Sequence, residues 1–167
     1  MSDDTTRLEA VEKELIWQFF GRRRGGFFIE VGASDPCETV QVVTLDDILE
    51  KEGNPRVDFV SIDVEGGEVD VLRGFSVERH QPTLVLLEDG VRNLDKHQAM
   101  TARGYKLVKR TVLNNWYVPR ETKFTMATLG ERLELVRKMY LATPIRQWRL
   151  ALRRRRAERG QTTTGKA

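Results

Sequence analysis

Residues 57–75 read VDFVSIDVEGGEVDVLRGF. The opening run, Val57 to Val64, has the apolar character of a buried strand, and it is the strongest strand in the chain. Gly66-Gly67 then turns the chain, and Val69 and Leu72 lie on a short helix that ends near Gly74. A strand that leads straight into a helix is the repeating unit of layered α/β folds. The exit from this strand carries Asp63, Glu65 and Glu68. Repulsion and desolvation there cost stability unless a cation, a donor-rich ligand or backbone amides compensate. Alternation puts Asp63 and Glu65 on one side, whereas Glu68 falls in the first helical turn, where the helix dipole alone favours a carboxylate.

Downstream, TLVLLE (83–88) is apolar until Glu88, the pattern of a strand covered on both faces. Asn93 is placed to cap a helix that runs to Arg103, with Gly104 after it. YKLVKR (105–110) and NWYVP (115–119) are separated by four residues and read as an antiparallel hairpin.

Upstream, FFIEV (27–31) is a glycine-bounded strand, followed by a loop from Gly32 to Pro36 and a further strand candidate, VQVV (40–43). Thr44 with Asp47 resembles a capping box that opens the helix LDDILEKE, which stops at Gly53. Leu8, Val11, Leu15, Ile16 and Phe19 form one apolar helical face before this. At the other end, Thr128 and Glu131 make a capping box, and Leu129, Leu133, Val136 and Tyr140 recur at helical spacing. Thr143-Pro144 starts a second helix whose stripe continues through Ile145, Trp148 and Leu152.

These elements predict an α/β domain on a mostly parallel sheet of four or five strands, with strand 57–63 central and a C-terminal antiparallel hairpin. The expected division is an α/β domain over 1–124 and a helical extension with an arginine-rich tail over 125–167. In such sheets ligands lie beyond the carboxyl ends of the parallel strands. That rule selects Glu30 to Asp35, Asp63 to Glu68, and Glu88 to Asp89.

The remaining composition narrows the chemistry. The chain has 167 residues, 40% of them hydrophobic, enough for a core of its own. Cys37 is the only cysteine, so there is no intramolecular disulfide and no thiol nucleophile with an assignable partner. With His80 and His97 the only histidines, no structural zinc cluster and no metal site are expected. His80, before a Gln-Pro turn, reads as a surface residue, and His97 would reach a pocket only if its helix caps one. From Leu141 onward eight basic residues face one acid, Glu158, which leaves residues 1–140 with a net −4 in a chain of formal charge +3. The acidic body argues against a broad nucleic-acid-binding face, while the arginine tail offers weak contact with an anionic surface or simply a solvated end. No apolar run is long enough for a transmembrane helix and the start is acidic and polar, so the expected compartment is the cytoplasm.

The segments GGFFIEVGASD (25–35), VVTLDDIL (42–49), VDFVSIDVEGGEVDVLRGF (57–75), the strand at 83–88 and GYKLVKRTVLNNWYVP (104–119) together resemble the FkbM-type methyltransferases. The resemblance implies a Rossmann-like fold and S-adenosylmethionine as cofactor, with methyl transfer to a hydroxyl of a sugar or natural product. It aligns Glu30, Gly32 and Asp35 with the cofactor loop, and Asp63 and Glu65 with the acidic element across the pocket. Glu65 or Glu88 would contact the acceptor, completing a catalytic set of Asp63, Glu65 and Glu88. The chain departs from the pattern at Pro36 and Ser61. It departs further between Asp35 and Thr44, where the family carries strand and helix units and the carboxylate that binds the ribose. A βαβ unit needs about 30 residues, so the chain reads as an internally shortened, truncated member. Two functions follow: a methyltransferase impaired by the missing segment, or a catalytically inactive remnant acting as a structural or protein-binding module.

Overall fold

The computed structural model describes residues 2–32, 43–90, 94–111 and 113–141, together with 144–145 and 148–149. Along the chain come α1 (Ser2–Phe19), β1 (Phe28–Gly32), α2 (Leu45–Lys51), β2 (Phe59–Asp63), α3 (Glu68–Arg73), α4 (Val77–His80) and β3 (Leu84–Glu88). They are followed by α5 (Asp95–Ala102), β4 (Tyr105–Thr111), β5 (Asn114–Pro119), α6 (Leu129–Val136) and a π turn (Arg137–Leu141).

The five strands form one sheet in the order β1-β2-β3-β5-β4. β1 pairs parallel with β2 and β2 with β3, whereas β5 is antiparallel to both β3 and β4. The sheet is therefore mixed, a correction to the mostly parallel expectation. The hairpin inserts β5 next to β3, which contributes two antiparallel seams against two parallel ones. This insertion also makes β3, rather than strand 57–63, the central strand.

Period-two alternation builds the layers. Val60, Ile62, Val85, Leu87 and Tyr117 face α2, α3 and α5 and form one core with Leu49, Leu72, Phe75 and Met100. Leu84, Leu86, Trp116 and Val118 face the other way and meet Leu15, Ile16 and Phe19 of α1 and Phe20 just after it. The continuous apolar run of β3 thus has a helical layer on each side. Both capping boxes form. Asp47 N donates to Thr44 Oγ1 at 3.0 Å, and Glu131 N donates to Thr128 Oγ1 at 3.2 Å. The start of β2 is tied to the preceding loop through Asp58, which accepts from Phe27 N at 3.1 Å and meets Arg23 at 2.5 Å.

Residues 144–145 and 148–149 are helical. The loop after Gly32, the strand candidate at 40–42, the Asn93 cap and the arginine run lie outside the described residues.

Candidate active site at the carboxyl ends of the strands

Register brings the strand exits together. Gly32 pairs with Asp63 in the β1–β2 ladder, and Ile62 with Leu87 in the next, so Glu88 follows in step with Asp63. By alternation, Glu30, Gly32, Asp63 and Glu88 share the face of the sheet that α1 covers. Glu88 shares a hydrogen bond with Asp63, and Glu65 and Glu68 add negative charge nearby. Burial first, and then the Asp63 carboxylate, push the Glu88 carboxyl above its ordinary range, because two carboxyls in contact hold a proton between them. A half-buried carboxyl whose affinity for a proton is raised in this way suits proton transfer with a hydroxyl.

Asp63 and Glu65 are exposed, Glu30 points outward from β1, and Asp35 lies outside the described residues. Glu65 sits in the turn after β2 with φ +51°, in the left-handed region, and Gly66 follows at φ +107°. This turn swings the chain from β2 into α3 within four residues. Among the described residues, a Cβ on Gly32 would meet nothing within 4 Å.

Glu68 has a different place from its neighbours. Its side chain is fully buried, accepts from Gly66 N at 3.0 Å and lies 2.6 Å from Lys96 Nζ. Burial alone would raise its carboxyl, but the bonds from Lys96 and the backbone outweigh that and hold it below the ordinary range. Lys96 Nζ also donates to the Glu88 carbonyl at 2.8 Å. It thereby ties α5 to the end of β3 and to the start of α3. Neither Lys96 nor this pairing was visible in the sequence, since the partners lie far apart along the chain.

Asp89 does not end its strand in solvent. It is buried, its Oδ2 accepts from Asn115 Nδ2 at 2.9 Å, and its carbonyl accepts from Arg110 Nη2 at 2.5 Å. His97 continues this network on the α5 face. Its Nδ1 lies 3.3 Å from the Tyr117 hydroxyl and its Nε2 lies 2.7 Å from the Tyr140 hydroxyl. Burial lowers the His97 imidazole below the ordinary histidine range, with Asp89 opposing. His97 thus lies on the opposite face from Asp63 and Glu88. His80, expected at the surface, is buried, stacks on Phe75 at 5.6 Å between ring centroids and lies 3.3 Å from Asp46. The short helix α4 turns it inward against α2, a direction that its Gln-Pro context did not reveal.

Glu12 of α1 is a further acidic group at this end of the sheet. It accepts from Asn114 Nδ2 at 2.9 Å and from the Thr111 hydroxyl. Among the described residues no group of three or more His, Cys, Asp or Glu side chains could hold a metal ion.

Residues 17–113 match the methyltransferase FkbM domain, more than half of the chain. The chain belongs to the FkbM methyltransferase family. The match spans β1, the β2–α3 turn, β3 and the first hairpin strand, β4, and so takes in Glu30, Asp63, Glu65, Glu68 and Glu88. FkbM methyltransferases generally use S-adenosylmethionine. No curated protein and no solved structure matched the chain.

Proposed function

We propose that this FkbM-family chain transfers a methyl group from S-adenosylmethionine to a hydroxyl of a small molecule, and that it holds the cofactor weakly. The observation that carries the reading is the Asp63–Glu88 carboxyl pair at the strand exits, in register with Gly32 and inside the family match. The donor set suits one end of the cofactor. Carboxylates at Asp63 and Glu65 attract its ammonium and sulfonium charges, and a glycine permits close approach to the backbone.

When bound, S-adenosylmethionine supplies an electrophilic methyl group. With the cofactor bound, Glu88 in its deprotonated form would accept the proton of an acceptor hydroxyl as its oxygen gains the methyl, the sulfonium–methyl bond breaking to leave a neutral thioether, and Asp63 would hold Glu88 in position. Lys96 fixes the backbone of Glu88 and so fixes where that carboxyl stands. The carboxyls must be held in line with the acceptor, because orientation supplies much of the rate in such transfers.

Only ten residues separate Gly32 from Val43. The helix and strand units that carry the ribose carboxylate in the family do not fit into that length. This supports reading the chain as internally shortened. Two lost bonds of about 1.5 kcal/mol each weaken binding about 100-fold, which takes a micromolar site to about 100 μM. The same observation favours a second reading, a fold retained without transfer.

Calorimetric titration of the chain with S-adenosylmethionine separates the two. Saturable binding near or above about 100 μM, lost in Asp63→Asn, together with slow label transfer to a polyol acceptor that Glu88→Gln abolishes, supports the transferase reading. Heat indistinguishable from dilution up to several millimolar assigns the chain to the second.

A further inference from the structure

The strongest unassigned feature is the outward side of α6 and the residues after it. One side of this helix is anchored to the body. Glu131 lies 2.5 Å from Lys109 Nζ, Met139 is fully buried, and Tyr140 reaches His97. The adjacent side is bare. Leu129 is 78% exposed and Leu133 72%, and Val136 is more than half exposed. Spacings of four and three put these three on one stripe. Leu141, Ile145 and Trp148 follow, each also more than half exposed. Aliphatic and indole surface held open along a helix that is otherwise docked marks an interaction site.

Charge identifies the occupant. Between Arg132 and Arg159 the chain carries ten basic residues against Glu134 and Glu158. Arg132 and Arg137 are exposed beside the stripe itself. A second copy would bring the same ten cations together. RNA would satisfy the arginines but leaves Leu129, Leu133 and Ile145 without a role, because single strands are read by aromatic stacking and phosphate contact. An anionic bilayer surface satisfies both: leucine, isoleucine and tryptophan enter the acyl boundary, and arginines meet the headgroups. Among the described residues no helix is long and apolar enough to cross a membrane, so the contact is a peripheral one.

We propose that the bare stripe of α6 and the following residues, with its arginines, docks this protein onto an anionic lipid surface. The proposal is independent of the transferase reading, since none of its residues belongs to the acidic cluster.

The test is co-sedimentation of the full chain with phosphatidylcholine vesicles, with and without phosphatidylserine. Binding is expected only where phosphatidylserine is present, and it falls steeply as salt rises. Leu129→Glu with Leu133→Glu lowers the partition coefficient about tenfold or more, without changing the melting temperature, because both side chains are already in water. Replacing Arg153 to Arg156 by Gln lowers it comparably by removing headgroup contacts. Equal binding to both vesicle types, no binding to either, or full binding by the leucine double variant overturns the proposal. A fall in melting temperature of that variant also overturns it, as does a dimer in sedimentation velocity that the variant disperses, since either shows the stripe covered by protein. Displacement by RNA that the leucine variant does not alter overturns it in favour of a nucleic-acid contact.

Discussion

Glu65 keeps a left-handed backbone at φ +51° although it is not glycine. That conformation costs an L residue about 1–2 kcal/mol, and a carboxylate is retained there rather than a glycine. Replacing Glu65 with glycine removes the strain but adds entropy to the unfolded chain. The net expectation is a gain of roughly 0.5–1 kcal/mol in denaturant unfolding, accompanied by weaker S-adenosylmethionine binding if the carboxylate serves the site. A loss of stability would show that Glu65 makes a contact worth more than its strain. Lys96 poses the converse case. Removing it as Lys96→Met leaves the Glu68 carboxylate fully buried and without its cation, which costs about 3–5 kcal/mol. Pairing it with Glu68→Gln recovers much of that loss, and a double-mutant cycle by urea unfolding measures the coupling.

The elements themselves were largely legible in the chain. The apolar runs FVSID and LVLLE are β2 and β3, and Thr44 with Asp47 and Thr128 with Glu131 make the capping boxes that their spacing predicts. What stayed hidden depends on pairings between distant residues. The sheet order could not be read, because insertion of β5 beside β3 is a tertiary choice. The Glu68–Lys96 pair and the His97–Tyr117–Tyr140 contacts have no local spacing to announce them. The acidic exits were visible, but their division into an open pair, Asp63 with Glu88, and a buried support, Glu68, appears only in the fold. The histidine network carries its own pH dependence. His97 is held neutral by burial, so its folded pKa lies below the ordinary value of about 6.5. Its contribution to stability is complete above about pH 6.5 and is lost as pH falls through that value toward the folded pKa, because the unfolded chain takes up the proton first. Asp46, Asp58 and Glu68, whose carboxyls are all lowered, act further down the scale. In a Glu88→Gln background, which removes the opposing proton uptake by that raised carboxyl, melting temperatures should therefore fall between pH 7 and pH 5.5 and stay flatter once His97→Gln is added. Parallel slopes would remove His97 as the source.

At the scale of the whole molecule, β1 stands at the end of the sheet order, and Gly32 is separated from Val43 by ten residues. An open α/β sheet binds a dinucleotide-like ligand across a crevice with walls on both sides of the switch point. Among the described residues one wall is evident: Asp63 and Glu88 at the ends of β2 and β3, in register with Gly32. These groups suit an ammonium and a sulfonium, while the ten residues between Gly32 and Val43 are too few for the strand and helix units that bind the ribose in the family. The site should then hardly distinguish S-adenosylmethionine from S-methylmethionine, which carries the same two cations and no nucleoside. A complete pocket gains two ribose bonds and an adenine wall, so it would favour the nucleoside form by about 100-fold or more. For this chain competition calorimetry should give affinities within about tenfold of each other, both lost in Asp63→Asn. The measurement is to be repeated across protein concentration, since a partner copy could supply the second wall only when dimers form. Discrimination of 100-fold or more by a monomer would mean that the ten residues after Gly32 build the adenosine side unaided, and the shortened-site reading would fall.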